Sequence, residues 1–186
     1  MITEREKMST GEWYNYAHDE ELQKLRKRAV RLCYKFNHAE PESEERKEVM
    51  TELLGELPEG FDIMAPIGFD YGFNTHFGKG VFVNHSCYFK DSATIGVGEN
   101  TFIGPNCTFY TAEHPLKYAL RNKGYEKAIP IWIGDNCWLA GNVTVMPGVR
   151  IGNGVVVAAG SLVTKNIPDN CIVAGVPAAI KKFIDQ

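Results

Sequence analysis

Aliphatic residues fall six positions apart at Ile133, Leu139, Val145, Ile151, Val157 and Val163, in an unbroken run. Four residues after the first five of these stand Cys137, Val143, Val149, Val155 and Ser161, all small or β-branched. Glycine directly follows the aliphatic position at Ile133-Gly134 and Ile151-Gly152. It does the same earlier, at Ile67-Gly68, Phe77-Gly78, Ile95-Gly96 and Ile103-Gly104. A first array, Phe77, Val83, Phe89 and Ile95, runs in a different phase, which places a two-residue insertion before Ile103. A period of six is neither the 3.6 of a helix nor the continuous alternation of an amphipathic strand. It is the period of short flat strands broken by a corner at each repeat. The aliphatic side chain then enters a shared core, and glycine or asparagine takes the backbone angles of the corner. Each coil would hydrogen-bond to the coils above and below and depend on them for burial.

The first 60 residues carry a different pattern. Leu22, Leu25, Ala29, Leu32 and Phe36 recur at three- and four-residue steps, one apolar stripe on a helix that Asp19, Glu20 and Glu21 open with favourable charge. A second helix is predicted from Pro41, carrying Val49, Met50, Leu53 and Leu54 and stopping at Gly55. Leu57-Pro58-Glu59-Gly60 joins this helical segment, residues 1–60, to the repeat domain, residues 61–186. The basic residues Lys24, Arg26, Lys27, Arg28 and Arg31 read as a solvated helix face.

Composition removes several classes. A net charge of -3 gives no reason to expect nucleic acid or an anionic membrane as partner. No apolar stretch approaches the roughly 20 residues that cross a bilayer. The charged opening lacks the apolar core of a secretory signal, so the expected compartment is the cytoplasm. Five widely spaced cysteines form no C-x-x-C pair, which argues against zinc or a redox dithiol. Cys87, Cys107 and Cys137 all fall at the small core position of the repeat, where a free thiol acts as a small hydrophobe.

The array is broken once at length, by residues 110–130. A long excursion from a rigid scaffold is where binding or catalytic groups tend to sit. Within it His114 precedes Pro115, whose ring restricts the local backbone. Histidine titrates near neutrality and suits removal of a hydroxyl proton. On position alone it reads first as a surface-loop residue, and its place on the sole long excursion shifts the balance toward a site. His76 and His85 are further candidates to line a site but lie outside the excursion, and His18 and His38 flank a helix.

The repeat resembles the left-handed parallel β-helix of the hexapeptide acyltransferases, in which three hexapeptides make one triangular coil. Tyr110-Thr111-Ala112-Glu113-His114-Pro115, followed by Arg121-Asn122-Lys123-Gly124, resembles the active-site loop of the maltose and galactoside O-acetyltransferases. The likeness extends through Tyr34-Lys35-Phe36-Asn37-His38, Asp70-Tyr71-Gly72 and Ala174-Gly175-Val176-Pro177-Ala178, and Asp70 favours the maltose branch. The fold it implies is mainly β: a left-handed β-helix with an N-terminal helical segment, a loop insertion and a C-terminal cap.

The same resemblance implies transfer of acetyl from acetyl-coenzyme A to a sugar hydroxyl, with His114 as general base and no metal. It matches Asp70, Asn84 and one of Asp91 and Ser92 to acceptor contacts. It matches Trp138, Gly141, Ala159, Thr164, Lys165 and Lys182 to the donor side, and Ala179 stands where the family can carry arginine. It further implies a homotrimer with sites between subunits. Asp70 as a turn residue, Asn84 as a corner and Trp138 as packing remain open on the residues alone. Other acceptors on the same fold, and a β-helix without activity, are the competing readings. The spacing of His76, His85 and His114 does not match the zinc-bearing branch of the superfamily.

Overall fold

The computed structural model describes residues 2–185. Its body is a three-sided parallel β-solenoid. The first face stacks Asp62–Ile63, Phe82–Val83, Phe102–Ile103, Trp138–Leu139, Val156–Val157 and Cys171–Ala174. The second stacks Ile67–Phe69, Cys87–Lys90, Thr108–Tyr110, Thr144–Val145 and Leu162–Val163. The third stacks Thr75–Phe77, Ile95–Val97, Ile131–Ile133 and Arg150–Ile151. Every pairing between these strands is parallel. An antiparallel strand, Ala179–Phe183, covers the last strand of the first face.

The inward positions form continuous columns. Phe69, Phe89 and Phe109 are register partners on the second face, their rings stacked 4.7 and 4.8 Å apart, the natural spacing of adjacent strands. Val83, Ile103, Leu139, Val157 and Val173 form the equivalent column of the first face, all enclosed. Cys87, Cys107 and Cys137 occupy the small core position, and burial raises the thiols of Cys33 (to about 11) and Cys137. None is placed to act as a nucleophile.

Two details of the repeat differ from the sequence expectation. Val97, six residues before Ile103, is the register partner of Phe77 and Ile133. The two extra residues therefore lie in the step from Phe89 to Val97, not immediately before Ile103. The glycines that follow the aliphatic position are also not the corner residues of positive φ. That role falls to Asn100, Asn136, Asn142 and Gly154, among others. A Cβ at Gly134 would lie 2.7 Å from the backbone of Gly152 on the next coil, so glycine is required there by close approach.

Three helices precede the solenoid, and the second and third close its first coil. α1 spans Glu4–Thr10 behind a Thr3–Glu6 capping box. α2 spans Glu20–His38, with Asp19 accepting from Leu22 N. α3 spans Glu44–Leu54. It starts at the Ser43 cap instead of Pro41, because residues 40–43 form a turn with Glu42 at φ 62°. Leu32, Cys33 and Phe36 of α2 and Val49, Met50 and Leu53 of α3 join one core with Ile67 and Phe69. Asn37 accepts from Ile67 N at 2.8 Å and donates to Ile67 O at 2.9 Å, so one side-chain amide covers an open strand edge.

The excursion contains Ala112–Glu113, a short helix α4 at Tyr118–Arg121, and Tyr125–Ala128. The latter strand pairs antiparallel with Ala112–Glu113 on one side and with Tyr14–Asn15 of the N-terminal segment on the other. Thr111 closes the base: its carbonyl accepts from Ile129 N, and its hydroxyl accepts from Ala93 N. The excursion therefore leaves and rejoins the solenoid at one fixed point. Among the described residues no helix is long and apolar enough to cross a membrane.

Candidate active site

The site lies where the second face turns into the third. In the next-to-last coil this turn is the plain six-residue step from Val145 to Ile151, and in the last it shortens to four, from Val163 to Ile167. Lower down it holds all of the extra chain: residues 70–74, 91–94 and the excursion 110–130 sit above one another at a single corner. Because the strands are in register, Asp70, Lys90 and Tyr110 follow the stacked phenylalanines at equivalent positions.

Asp70 is 3% exposed and accepts from three donors. These are the Tyr88 hydroxyl, Lys90 Nζ at 2.9 Å, and the Arg26 guanidinium at 3.3 Å from α2. Tyr88 lies flat over Gly68 of the preceding coil, which brings its hydroxyl to Asp70. Burial and then the bond to Asp70 push the Tyr88 phenol up, so it remains a donor. Partial burial is the largest single influence on the Arg26 guanidinium and opposes its charge, but Asp70 together with Tyr88, Tyr71 and Glu126 holds its pKa above the usual value.

Lys90 also faces Glu126 Oε1 at 3.8 Å. Glu126 is enclosed by the three-stranded sheet of the excursion, and its Oε2 accepts from the Tyr14 hydroxyl at 2.8 Å. Its Oε1 stands 3.5 Å from His114 Nε2. The other imidazole nitrogen, Nδ1, lies 3.0 Å from the Tyr125 carbonyl oxygen. A carbonyl only accepts, so Nδ1 carries the proton, and Nε2 is the nitrogen free to take one. His114 keeps 45% of its side chain in solvent. The corner thus presents one accessible base backed by a buried line of alternating charge.

The other acceptor candidates fall differently. Asp91 is fully enclosed, accepting from Tyr71 N and Gly72 N at 2.8 Å and from Thr75 Oγ1 at 3.1 Å. It holds the 70–74 turn in shape, and burial raises its carboxyl to about 6. Ser92 is equally enclosed, and its Oγ has no hydrogen-bond partner. Asn84 lies at a different corner, between the first and second faces, where its Oδ1 accepts from His85 N.

The donor candidates are likewise distributed. Gly141 and Ala159 lie at the same corner as Asn84, on successive coils joined by Gly160 N to Gly141 O. Trp138 stands outside the first face with 54% of its surface exposed, beside its register partner Phe102 at 53%. Lys182 is exposed on the covering strand opposite Ile172. Thr164 and Lys165 follow Leu162–Val163, at the turn into the third face. One copy of the chain therefore carries His114 and Asp70 at one corner, with Asn84, Gly141 and Ala159 across the whole second face from them.

Sequence reasoning missed Tyr14, Arg26, Tyr88, Lys90 and Glu126. The repeat register contains a signal for Tyr88 and Lys90, which flank the inward Phe89. Arg26, expected on a solvated helix face, instead pairs with the buried Asp70. Among the described residues no group of three or more His, Cys, Asp or Glu side chains could hold a metal ion.

Residues 7–58 match the maltose acetyltransferase hexapeptide capping motif, and residues 130–165 match the six-repeat bacterial transferase hexapeptide. The whole chain aligns with a maltose O-acetyltransferase from Clostridium difficile 630, 41% identical, covering 99% of that chain at a TM-score of 0.95. It also aligns over its full length with a hexapeptide-repeat acetyltransferase of Vibrio cholerae O1 biovar eltor complexed with acetyl-coenzyme A. That chain is 34% identical and fully covered, with a TM-score of 0.91. A galactoside acetyltransferase in complex with coenzyme A is 33% identical, 92% covered by the full chain, with a TM-score of 0.89.

Proposed function

Because this chain belongs to the maltose and galactoside O-acetyltransferase family of hexapeptide-repeat proteins, we propose that it moves acetyl from acetyl-coenzyme A to a sugar hydroxyl. The observation that carries the reading is the His114 geometry: Nδ1 committed to a backbone carbonyl, Nε2 open beside a buried carboxylate. In the proposed step Nε2 takes the acceptor hydroxyl proton as the oxygen bonds to the thioester carbonyl carbon. The C–S bond then breaks, and the proton passes to the departing sulfur. Glu126 faces the imidazolium formed in between. A backbone N–H near Gly141 is the proposed donor to the tetrahedral oxyanion.

The residues present suit a coenzyme A donor. Trp138 and Phe102 give an exposed apolar wall for the pantetheine arm, and Gly141 and Ala159 let it approach the coil closely. Lys182, with Thr164 and Lys165 further along, is proposed to meet the polar parts of the donor. On the acceptor side, the Asp70–Lys90–Arg26 cluster supplies fixed polar groups beside His114. We place Asp70 and Asn84 in orientation of the sugar, and we assign Asp91 to shaping the turn.

A complete site needs a second copy of the chain. The base and the donor shelf lie at different corners of the triangle, so the proposed arrangement is a homotrimer in which one subunit's His114 corner meets its neighbour's donor corner. Residues 61–186 form the transferase unit in this reading, and residues 1–60 its cap. Maltose or glucose is the preferred acceptor, a galactoside the second choice. A panel of sugars with acetyl-coenzyme A and thiol detection tests this. Release of coenzyme A stimulated by no mono- or disaccharide would refute it.

A further inference from the structure

We infer that Tyr14, in the N-terminal segment, is a positioning residue for proton transfer at His114, acting through Glu126; the inference rests on the function proposed above. Three adjacent strand segments carry the three residues. Tyr14 is the register partner of Glu126, and Glu113 that of Lys127, so one further step sets His114 opposite Glu126. The line Tyr14–Glu126–His114 thus runs across the sheet of the excursion, from fully buried to solvent.

The two oxygens of Glu126 have separate work. Oε2 accepts from the Tyr14 phenol at 2.8 Å, while Oε1 is turned toward His114 Nε2 at 3.5 Å and Lys90 Nζ at 3.8 Å. A carboxylate held at one oxygen by a directional O–H bond cannot rotate freely to pair both oxygens with the ammonium. The phenol therefore keeps Oε1 available for the imidazolium that forms when Nε2 takes a proton. Lys90 is shared with Asp70, at the shorter 2.9 Å, which further limits its claim on Glu126. Burial, and after it the Glu126 charge, raise the Tyr14 phenol far above its ordinary range, so it remains a donor throughout the working pH.

The neighbourhood is built to hold this contact. Tyr14 belongs to a buried cluster with Met8, Leu22, Tyr71, Ala93 and Ala128. Asn15 donates to Lys123 O at 2.7 Å, and its own N–H donates to Glu4 Oε2, tying α1 to the excursion. Tyr14 touches no reacting atom. Its effect on rate passes through the orientation of the Glu126 carboxylate.

The test is a double-mutant cycle in the first acceptor that the wild-type protein acetylates, so that rejection of sugars defeats only the earlier reading. Tyr14→Phe keeps the ring in place and is expected to lower kcat about tenfold, the range of a hydrogen bond to a charged group, with the KM for acetyl-coenzyme A unchanged. Glu126→Gln, which keeps the side-chain shape and loses the charge, is expected to lower kcat at least as far. The double variant is expected to match Glu126→Gln alone, because the phenol then has no carboxylate to orient. A wild-type kcat in either single variant would overturn the inference. So would losses that multiply in the double variant, the signature of a merely structural Tyr14.

Discussion

The ring of Tyr88 lies on Gly68 of the coil beneath it, with a ring carbon 2.8 Å from where a Cβ at Gly68 would stand. This contact between register partners sets the direction of the Tyr88 hydroxyl and therefore the bond it donates to Asp70. Gly68→Val should lift the ring and break that bond. The expected outcome is a raised acceptor KM and a stability loss of about 1–3 kcal/mol from overpacking, with the KM for acetyl-coenzyme A unchanged. Steady-state kinetics varying each substrate, together with urea unfolding, checks both parts. An unchanged acceptor KM would separate Tyr88 from the acceptor site.

His114→Ala should lower kcat by about 10² to 10⁴ while the protein still binds acetyl-coenzyme A. The side chain is partly in solvent and fills no core position, so the unfolding midpoint should move little. Calorimetric titration with the donor and single-turnover kinetics distinguish loss of the base from loss of binding. Retention of most of the wild-type rate would remove His114 from the mechanism.

Asp91 gives stability a pH dependence of definite sign. Its folded carboxyl is raised from 3.8 to about 6, chiefly by burial, so in the interval between these values the native state holds a proton that the unfolded chain has released. The resulting stabilisation is fully present below about pH 4 and is lost as pH rises through about 6. Asp91→Asn should remove this component of the slope. It should also cost about 1–3 kcal/mol, because one amide oxygen cannot accept from all three donors. Denaturant unfolding at several pH values between 4 and 7 measures both, and the same slope in the variant would rule the assignment out.

The proposed shared site predicts complementation. His114→Ala disables one corner, and Ala159→Trp should block the donor shelf at another. If each site takes His114 from one subunit and the shelf from its neighbour, randomly mixed trimers should regain about a quarter of wild-type activity. Co-expression with two tags and a coenzyme A release assay reads this directly. Mixed trimers no more active than the separate variants would place both corners of a site in one subunit.

The order of the coils was legible in the sequence because a solenoid is periodic. Once Ile133, Leu139 and Val145 are known to point inward, Ile151, Val157 and Val163 follow at six-residue steps, as do the small residues four further on as far as Ser161; beyond Val163 the step shortens to reach Ile167. The same periodicity exposed residues 110–130 as a break and His114 as a candidate. Register could also have found Lys90 above Asp70, since coil neighbours recur about 20 residues apart here.

Tertiary structure alone decided the rest. Only the closed triangle shows that residues 70–74, 91–94 and 110–130 share one corner, because corners are defined by how faces meet and not by spacing. Only the folded chain joins Tyr14 to Glu126, 112 residues away. The excursion has no repeat, so its partner is whichever segment covers its free strand edge. That partner is the N-terminal strand, which brings Tyr14 from the other end of the chain to the carboxylate that faces His114.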